Sequence, residues 1–158
     1  MERPSLITHS FQETQKAGEE FAKSLVGAPL GAPQLRVQKK KQVGVQQAAP
    51  LLIGLKGDLG AGKTTFVKGM AKAFDISDVL VTSPTFTLIQ EYGPIIHIDL
   101  YRLEKEEELI FLGLEEMALP GKVMVIEWYD KFPKYFEHLD ACVHIEPLGE
   151  SERKITIP

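Results

Sequence analysis

Apolar positions recur along this chain with two different periods, and the switches between them mark out the elements. Leu6-Ile7 closes a short stretch that reads as a first strand. Ser10-Phe-Gln-Glu13 has the form of a capping box, in which a Ser and a Glu three residues on satisfy open amides at a helix start. Ala17, Phe21 and Leu25 follow at intervals of four, which predicts a helix with one apolar face ending near Gly27. Leu51-Leu-Ile-Gly-Leu55 is a continuous apolar run of buried-strand length. After a Gly-rich turn, Phe66, Val67, Met70 and Ala71 predict the inner side of a helix from Lys63 to about Phe74. Strands are predicted at Thr85–Tyr92 and Ile95–Asp99, joined tightly at Gly93-Pro94. Lys105–Glu116 reads as helical with a break at Gly113. Lys122–Glu127 is a strongly apolar strand, and Ala141–Glu146 and Lys154–Ile157 alternate as two closing strands. Strand–helix alternation through the middle predicts an α/β fold with antiparallel additions at the edges.

One stretch breaks the pattern. Residues 27–50 are dominated by Gly, Ala, Pro and Gln, cluster Arg36, Lys39, Lys40 and Lys41, and hold no period. They are expected to form an exposed flexible insertion within a single domain over 1–158, because long surface insertions cost little stability.

Composition narrows the function. Eighteen Lys plus Arg against twenty-two Asp plus Glu give a net charge of −4, which argues against a broad electrostatic grip on nucleic acid, DNA included. Cys142 is the single cysteine, so an intrachain disulfide and a Cys-rich zinc site are excluded. No apolar run approaches the roughly 18 residues of a membrane span, and the first residues lack a signal-peptide core. A cytoplasmic protein with no membrane partner is the expectation.

The chemistry starts at Gly57-Asp58-Leu59-Gly60-Ala61-Gly62-Lys63-Thr64, which matches G-x-x-x-x-G-K-[ST] in full. In such a loop the glycines let the backbone curl until successive amides point into one cavity and hold phosphate oxygens. The following helix presents its positive dipole end to the same anions. Lys63 would reach the β- and γ-phosphates, and Thr64 would offer its hydroxyl to Mg²⁺. An apolar strand before the motif and an amphipathic helix after it supply the required setting.

A phosphate loop of this kind needs acidic partners. Ile95-Ile-His-Ile-Asp99 leaves Asp99 at a strand tip, and Val123-Met-Val-Ile-Glu127 leaves Glu127 at another. Carboxyl ends of strands are where open α/β sheets bind ligands. The residues alone do not separate a metal-binding role from a water-handling one. Thr82-Ser-Pro-Thr85 is a hydroxyl-rich stretch that reads either as a segment sensing the γ-phosphate or as ordinary turn material. His9, His97, His138 and His144 show no metal-site spacing. His97 shares a strand face with Asp99 and reads as a satisfied strand histidine. Glu104 and Glu106 to Glu108 read as a solvated helix start suited to the dipole.

Taken in order, Gly57-Asp-Leu-Gly-Ala-Gly-Lys-Thr-Thr-Phe66, Thr82-Ser-Pro-Thr-Phe-Thr-Leu88, His97-Ile-Asp-Leu-Tyr-Arg102, Leu112-Gly-Leu-Glu-Glu116 and Ile126-Glu-Trp128 resemble the TsaE family, small P-loop ATPases of bacterial tRNA threonylcarbamoyladenosine (t6A) synthesis. The likeness is strong over 51–130, weaker over 5–26 and loose in the C-terminal strands. It implies a P-loop NTPase-type three-layer domain with a mainly parallel central sheet and antiparallel edge strands. It also implies Mg²⁺-dependent hydrolysis of ATP to ADP, weak in the isolated chain and carried out on a TsaB–TsaD pair. That hydrolysis would support repeated modification of adenosine 37, with tRNA contacted only through the complex. By position, the resemblance makes Lys63 the phosphate lysine, Thr64 the Mg²⁺ threonine and Thr65 the next loop hydroxyl. Asp99 and Glu127 become the active-site acids, with Glu127 favoured as the metal ligand. Trp128 is expected near the nucleotide or a partner surface, or else as a half-buried core aromatic. Thr14 and Arg153 are expected to approach the nucleotide from the chain ends. The long path over 27–50 and Tyr129, where relatives often carry proline, depart from the family pattern. Two other functions fit the same motif. A small P-loop kinase is disfavoured because only Arg102 and Arg153 lie beyond the loop and no basic lid follows it. A nucleotide-dependent binding switch shares every part of a slow hydrolase.

Overall fold

A computed structural model describes residues 4–25 and 49–157, so the predicted insertion lies outside the described residues except for its last two positions. Seven strands form one sheet: β1 (Ser5–Thr8), β2 (Leu51–Lys56), β3 (Ile89–Tyr92), β4 (Ile95–Asp99), β5 (Val123–Glu127), β6 (Ala141–Pro147) and β7 (Arg153–Thr156). Their order is β1-β7-β6-β2-β5-β4-β3. The four central strands β6, β2, β5 and β4 run parallel, while β3, β7 and β1 join antiparallel at the edges. The expected mixed sheet is therefore present, with its parallel strands at the centre.

Helices cover both faces. α1 (Phe11–Leu25) and α2 (Lys63–Lys72) lie on one, and α3 (Glu106–Leu112) and α4 (Leu114–Met117) on the other. Strand alternation sorts the core into two clusters. Ile53, Leu55, Ile95, Val123, Val125, Val143 and Ile145 pack with Phe21, Phe66, Val67 and Met70 on the α1/α2 side. Ile96, Ile98, Met124 and Ile126 pack with Leu109, Leu114, Phe132 and Phe136 on the other. Central strands buried on both faces are apolar at consecutive positions, which is why they read as continuous runs. Among the described residues no helix is long and apolar enough to cross a membrane.

α1 holds α2, and so the phosphate loop, through an unusually close crossing. A Cβ on Gly18 would stand 2.0 Å from the Phe66 carbonyl oxygen, and one on Gly69 would stand 1.7 Å from that of Gln15. The helices meet backbone to backbone at these two glycines, flanked by the Phe21–Phe66 ring pair with centroids 5.6 Å apart.

Several boundaries differ from expectation. The strand predicted from Thr85 begins only at Ile89. Residues 85–88 turn instead: the Leu88 amide donates to the Pro84 carbonyl at 2.7 Å, Leu88 takes φ 65°, and the Thr85 hydroxyl is bound elsewhere. The helix predicted to Phe74 stops at Lys72, and Asp75 at φ 58° turns the chain away. The capping box is shifted by one residue. Ser10 Oγ accepts the Glu13 amide at 3.1 Å, but the Glu13 carboxylate reaches the His9 amide at 2.7 Å. The glutamate run caps α3 as expected, Glu108 accepting the amides of Glu104 and Lys105 at 2.8 Å each.

Candidate nucleotide site

The loop between β2 and α2 lies at the carboxyl edge of the sheet. α2 leaves β2 onto one face, whereas α3 and α4 leave β4 onto the other, so a crevice opens where the chain changes face. The crevice, about 230 Å³, is lined by Leu59 to Thr65 with Phe11, Ser83, Thr85, Asp99, Glu127 and Arg153. Gly62, at φ 106° and ψ 16°, makes the turn into α2, a conformation that a side chain would strain.

Lys63 is 6% exposed and folds back over its own loop. Its Nζ donates to the carbonyls of Gly57 at 2.5 Å and Asp58 at 3.0 Å, lies 3.9 Å from Glu127 Oε2, and stands 4.8 Å from the Trp128 ring centroid. Burial holds its pKa below the ordinary lysine value, although Glu127, Asp99, Asp58 and Asp130 pull the other way.

The two acids stand side by side. β4 and β5 are parallel and in register, with Asp99 opposite Glu127, and both side chains are buried at the strand tips. Their surroundings differ. Asp99 accepts two hydrogen bonds, from the Thr85 hydroxyl at 2.9 Å and the Tyr101 amide at 2.9 Å, one on each oxygen. Glu127 Oε1 meets His97 Nε2 at 2.7 Å, and Oε2 faces Lys63. Trp128 follows in left-handed conformation (φ 61°, ψ 26°), which lays its indole between Lys63 and Tyr101, the latter ring 5.1 Å away. It is half-buried and also packs on the second core. Tyr129 then starts a short 3-10 turn, its ring over β2 where Gly54 leaves room.

The chain-end residues fare differently. Arg153 lines the crevice, 6% exposed, and is fully engaged with backbone. Its Nε donates to the Ala61 carbonyl at 2.7 Å and its Nη1 to those of Gly149 and Glu152 at 2.9 Å each, so it braces the phosphate loop against β7. Thr14 is buried away from the crevice lining, its hydroxyl shared with Thr8 at 2.8 Å. Phe11, one turn earlier, occupies the crevice wall instead. The structure thus gathers Leu59 to Thr65, Asp99, Glu127 and Arg153 around one opening and puts Gly57, Asp58 and Trp128 against Lys63.

The oxygen donors here suit a hard cation shared with phosphate. Among the described residues no group of three or more His, Cys, Asp or Glu side chains could hold a metal alone. The Thr64 hydroxyl and one or two carboxylates fit Mg²⁺, which keeps waters and takes substrate phosphate oxygens as ligands.

Fold and crevice together define a P-loop-type α/β domain: a glycine-rich loop from strand to helix, a buried lysine inside it, and paired acids on adjacent parallel strands. Comparison with known proteins narrows this class. The family model described as "Threonylcarbamoyl adenosine biosynthesis protein TsaE" matches residues 8–155. The tRNA threonylcarbamoyladenosine biosynthesis protein TsaE of Aquifex aeolicus is 34% identical over 157 residues, covering 96% of this chain and 93% of that protein. Its namesake from Bacillus subtilis is 41% identical over 109 residues, 66% of this chain and 67% of that one. The crystal structure of Bacillus subtilis YdiB superposes with TM-score 0.63 at 26% identity, covering 99% of this chain and 84% of that one. The chain belongs to the TsaE family.

Four groups at the site carry little or no signal in the sequence. Thr85 and the Tyr101 amide hold Asp99, and only the hydroxyl-rich Thr82–Thr85 stretch hinted at the first. His97 was placed on the correct face, but nothing in the sequence tied it to Glu127, thirty residues on. Phe11 carried no signal.

Proposed function

We propose that this chain is a Mg²⁺-dependent ATPase of tRNA t6A modification, hydrolysing ATP on a TsaB–TsaD complex and so sustaining that complex's turnover. Family membership supports the pathway. The observation that carries the hydrolytic reading is the pair of buried, in-register carboxylates facing a buried loop lysine.

Each group has a task in this reading. The loop amides from Gly57 to Thr64 and the start of α2 bind the phosphates. Lys63 exchanges its two loop carbonyls for phosphate oxygens, which favours its charged form. Thr64 and the acids would hold Mg²⁺, which would neutralise charge on the phosphate oxygens. Hydrolysis adds water oxygen to the γ-phosphorus, breaks the bond to ADP, and releases a proton. Asp99 already accepts hydrogen bonds on both oxygens, so Glu127 Oε2 is the better-placed acceptor for orienting water or metal. Trp128 shields Lys63 from solvent. Thr65 supplies a further hydroxyl at the crevice.

The test is reconstitution. TsaB, TsaD, substrate tRNA and ATP are combined with threonylcarbamoyl-adenylate, with and without this chain. Multiple rounds of t6A formation that require the wild-type chain and fail with Lys63→Ala support the proposal. Equal turnover without the chain, or full support from Lys63→Ala, contradicts it.

A further inference from the structure

His97 is fully buried in the middle of β4, its ring bonded by Nε2 to Glu127 Oε1 at 2.7 Å. Its other nitrogen, Nδ1, is buried with no hydrogen-bond partner among the described residues. The groups packed around it are the tilted Tyr92 ring, with centroids 6.3 Å apart, and the strand neighbours Gln90 and Val125. The Tyr92 hydroxyl is spent on Gln90 and the Thr82 carbonyl. A histidine kept only to fill a core would be expected to satisfy both nitrogens or to be replaced by an apolar residue. Here one nitrogen is left bare so that the other can meet a single carboxylate oxygen. An ionised carboxylate only accepts, so Nε2 carries the hydrogen.

We infer that His97 is a positioning residue for Glu127: it pins Oε1 to the strand interior and leaves Oε2 as the one oxygen presented to Lys63 and the crevice. Without it, the carboxylate rotates about its terminal torsion, which is broad and intrinsically two-fold. This role rests on the hydrolytic reading of the site. His97 does not itself line the crevice; its ring meets the crevice only through Glu127, so its effect passes through that residue.

The test compares His97→Leu, His97→Gln, Glu127→Gln and the His97→Leu/Glu127→Gln double variant. ATP turnover, KM and ADP affinity are measured for each, with ¹⁵N NMR of the wild-type imidazole. Expected results are a bare Nδ1 and a protonated Nε2, and a kcat loss of about 10- to 100-fold in His97→Leu, typical of groups supporting a metal-site ligand. KM and ADP affinity should be nearly unchanged. His97→Gln, whose Nε2 reaches a similar point, should restore most of the loss. The double variant should be no slower than Glu127→Gln alone. Multiplicative losses in the double variant, an equal loss in His97→Gln, or a proton on Nδ1 instead of Nε2 would overturn the inference. A folded wild-type chain that binds nucleotide but never hydrolyses it, even with TsaB–TsaD, overturns the hydrolytic reading and this role with it; an active wild type with an equally active His97→Leu overturns this role alone.

Discussion

The two faces of β4 and β5 share a backbone and differ in what they carry. On the α3/α4 side the strands present Ile96, Ile98, Met124 and Ile126, apolar to their ends. On the α1/α2 side they begin with Ile95, Val123 and Val125, then change to His97, Asp99 and Glu127. The site is thus the last layer of a core in which apolar residues have been exchanged for buried polar ones. One face holds the sheet together, and the other gives up some of that stabilisation to aim charged groups at the phosphate loop.

The sharpest break comes from a pair of neighbouring substitutions. Glu127→Gln should lower ATP turnover by about 10² to 10³-fold, as loss of an aimed charge does. Nucleotide affinity and folding stability should hold, because Gln still accepts from His97 and no buried charge remains at that position. Ile126→Ala, one residue away on the other face, should do the reverse. It should lose about 2–5 kcal/mol of stability in urea unfolding while the folded fraction binds nucleotide normally. Equal effects of the two on stability would erase the distinction between the faces.

The site face depends on α1 as well. Gly69→Ala forces a methyl into the Gln15 carbonyl, so α1 and α2 must separate. A loss of about 1–3 kcal/mol is expected in thermal or urea unfolding, with weaker nucleotide binding because α2 carries the loop.

The smallest effect is a pH dependence. Lys63 deprotonates at lower pH than an exposed lysine because burial disfavours its charge. Bound phosphate raises that pKa, so binding takes up a proton between the free and bound values. Nucleotide affinity should be flat below the free value and fall by at most about tenfold per pH unit above it. In the window between that lowered pKa and the unfolded lysine's, the empty protein should gain stability as pH rises, since the unfolded chain binds more protons there. Titration calorimetry across alkaline pH reads the first trend, and Lys63→Arg should flatten it.

Much of this molecule was legible before its fold. The phosphate loop announces itself because its chemistry needs contiguous residues in fixed order, and strand-tip acids follow once apolar runs are cut at their polar ends. Groups supplied from a distance were not legible. His97 reaches Glu127 only because β4 and β5 lie parallel and in register, and sequence alone does not fix that pairing. The Gly18–Gly69 crossing reads in the sequence as two unremarkable helix glycines. Thr85 sits in a stretch that favours a strand locally, yet its hydroxyl serves Asp99 and the chain turns. Arg153 lines the crevice and also grips loop carbonyls, and that grip is set by the antiparallel return of β7, which no local motif encodes.

Mg²⁺-dependent ATP hydrolysis by the purified chain, alone and with a folded TsaB–TsaD pair, tests the central claim most directly. The account predicts slow hydrolysis alone and stimulation by the pair, with both lost in Lys63→Ala and in Glu127→Ala. Nucleotide binding without stimulated hydrolysis, or hydrolysis that survives Glu127→Ala, would contradict it.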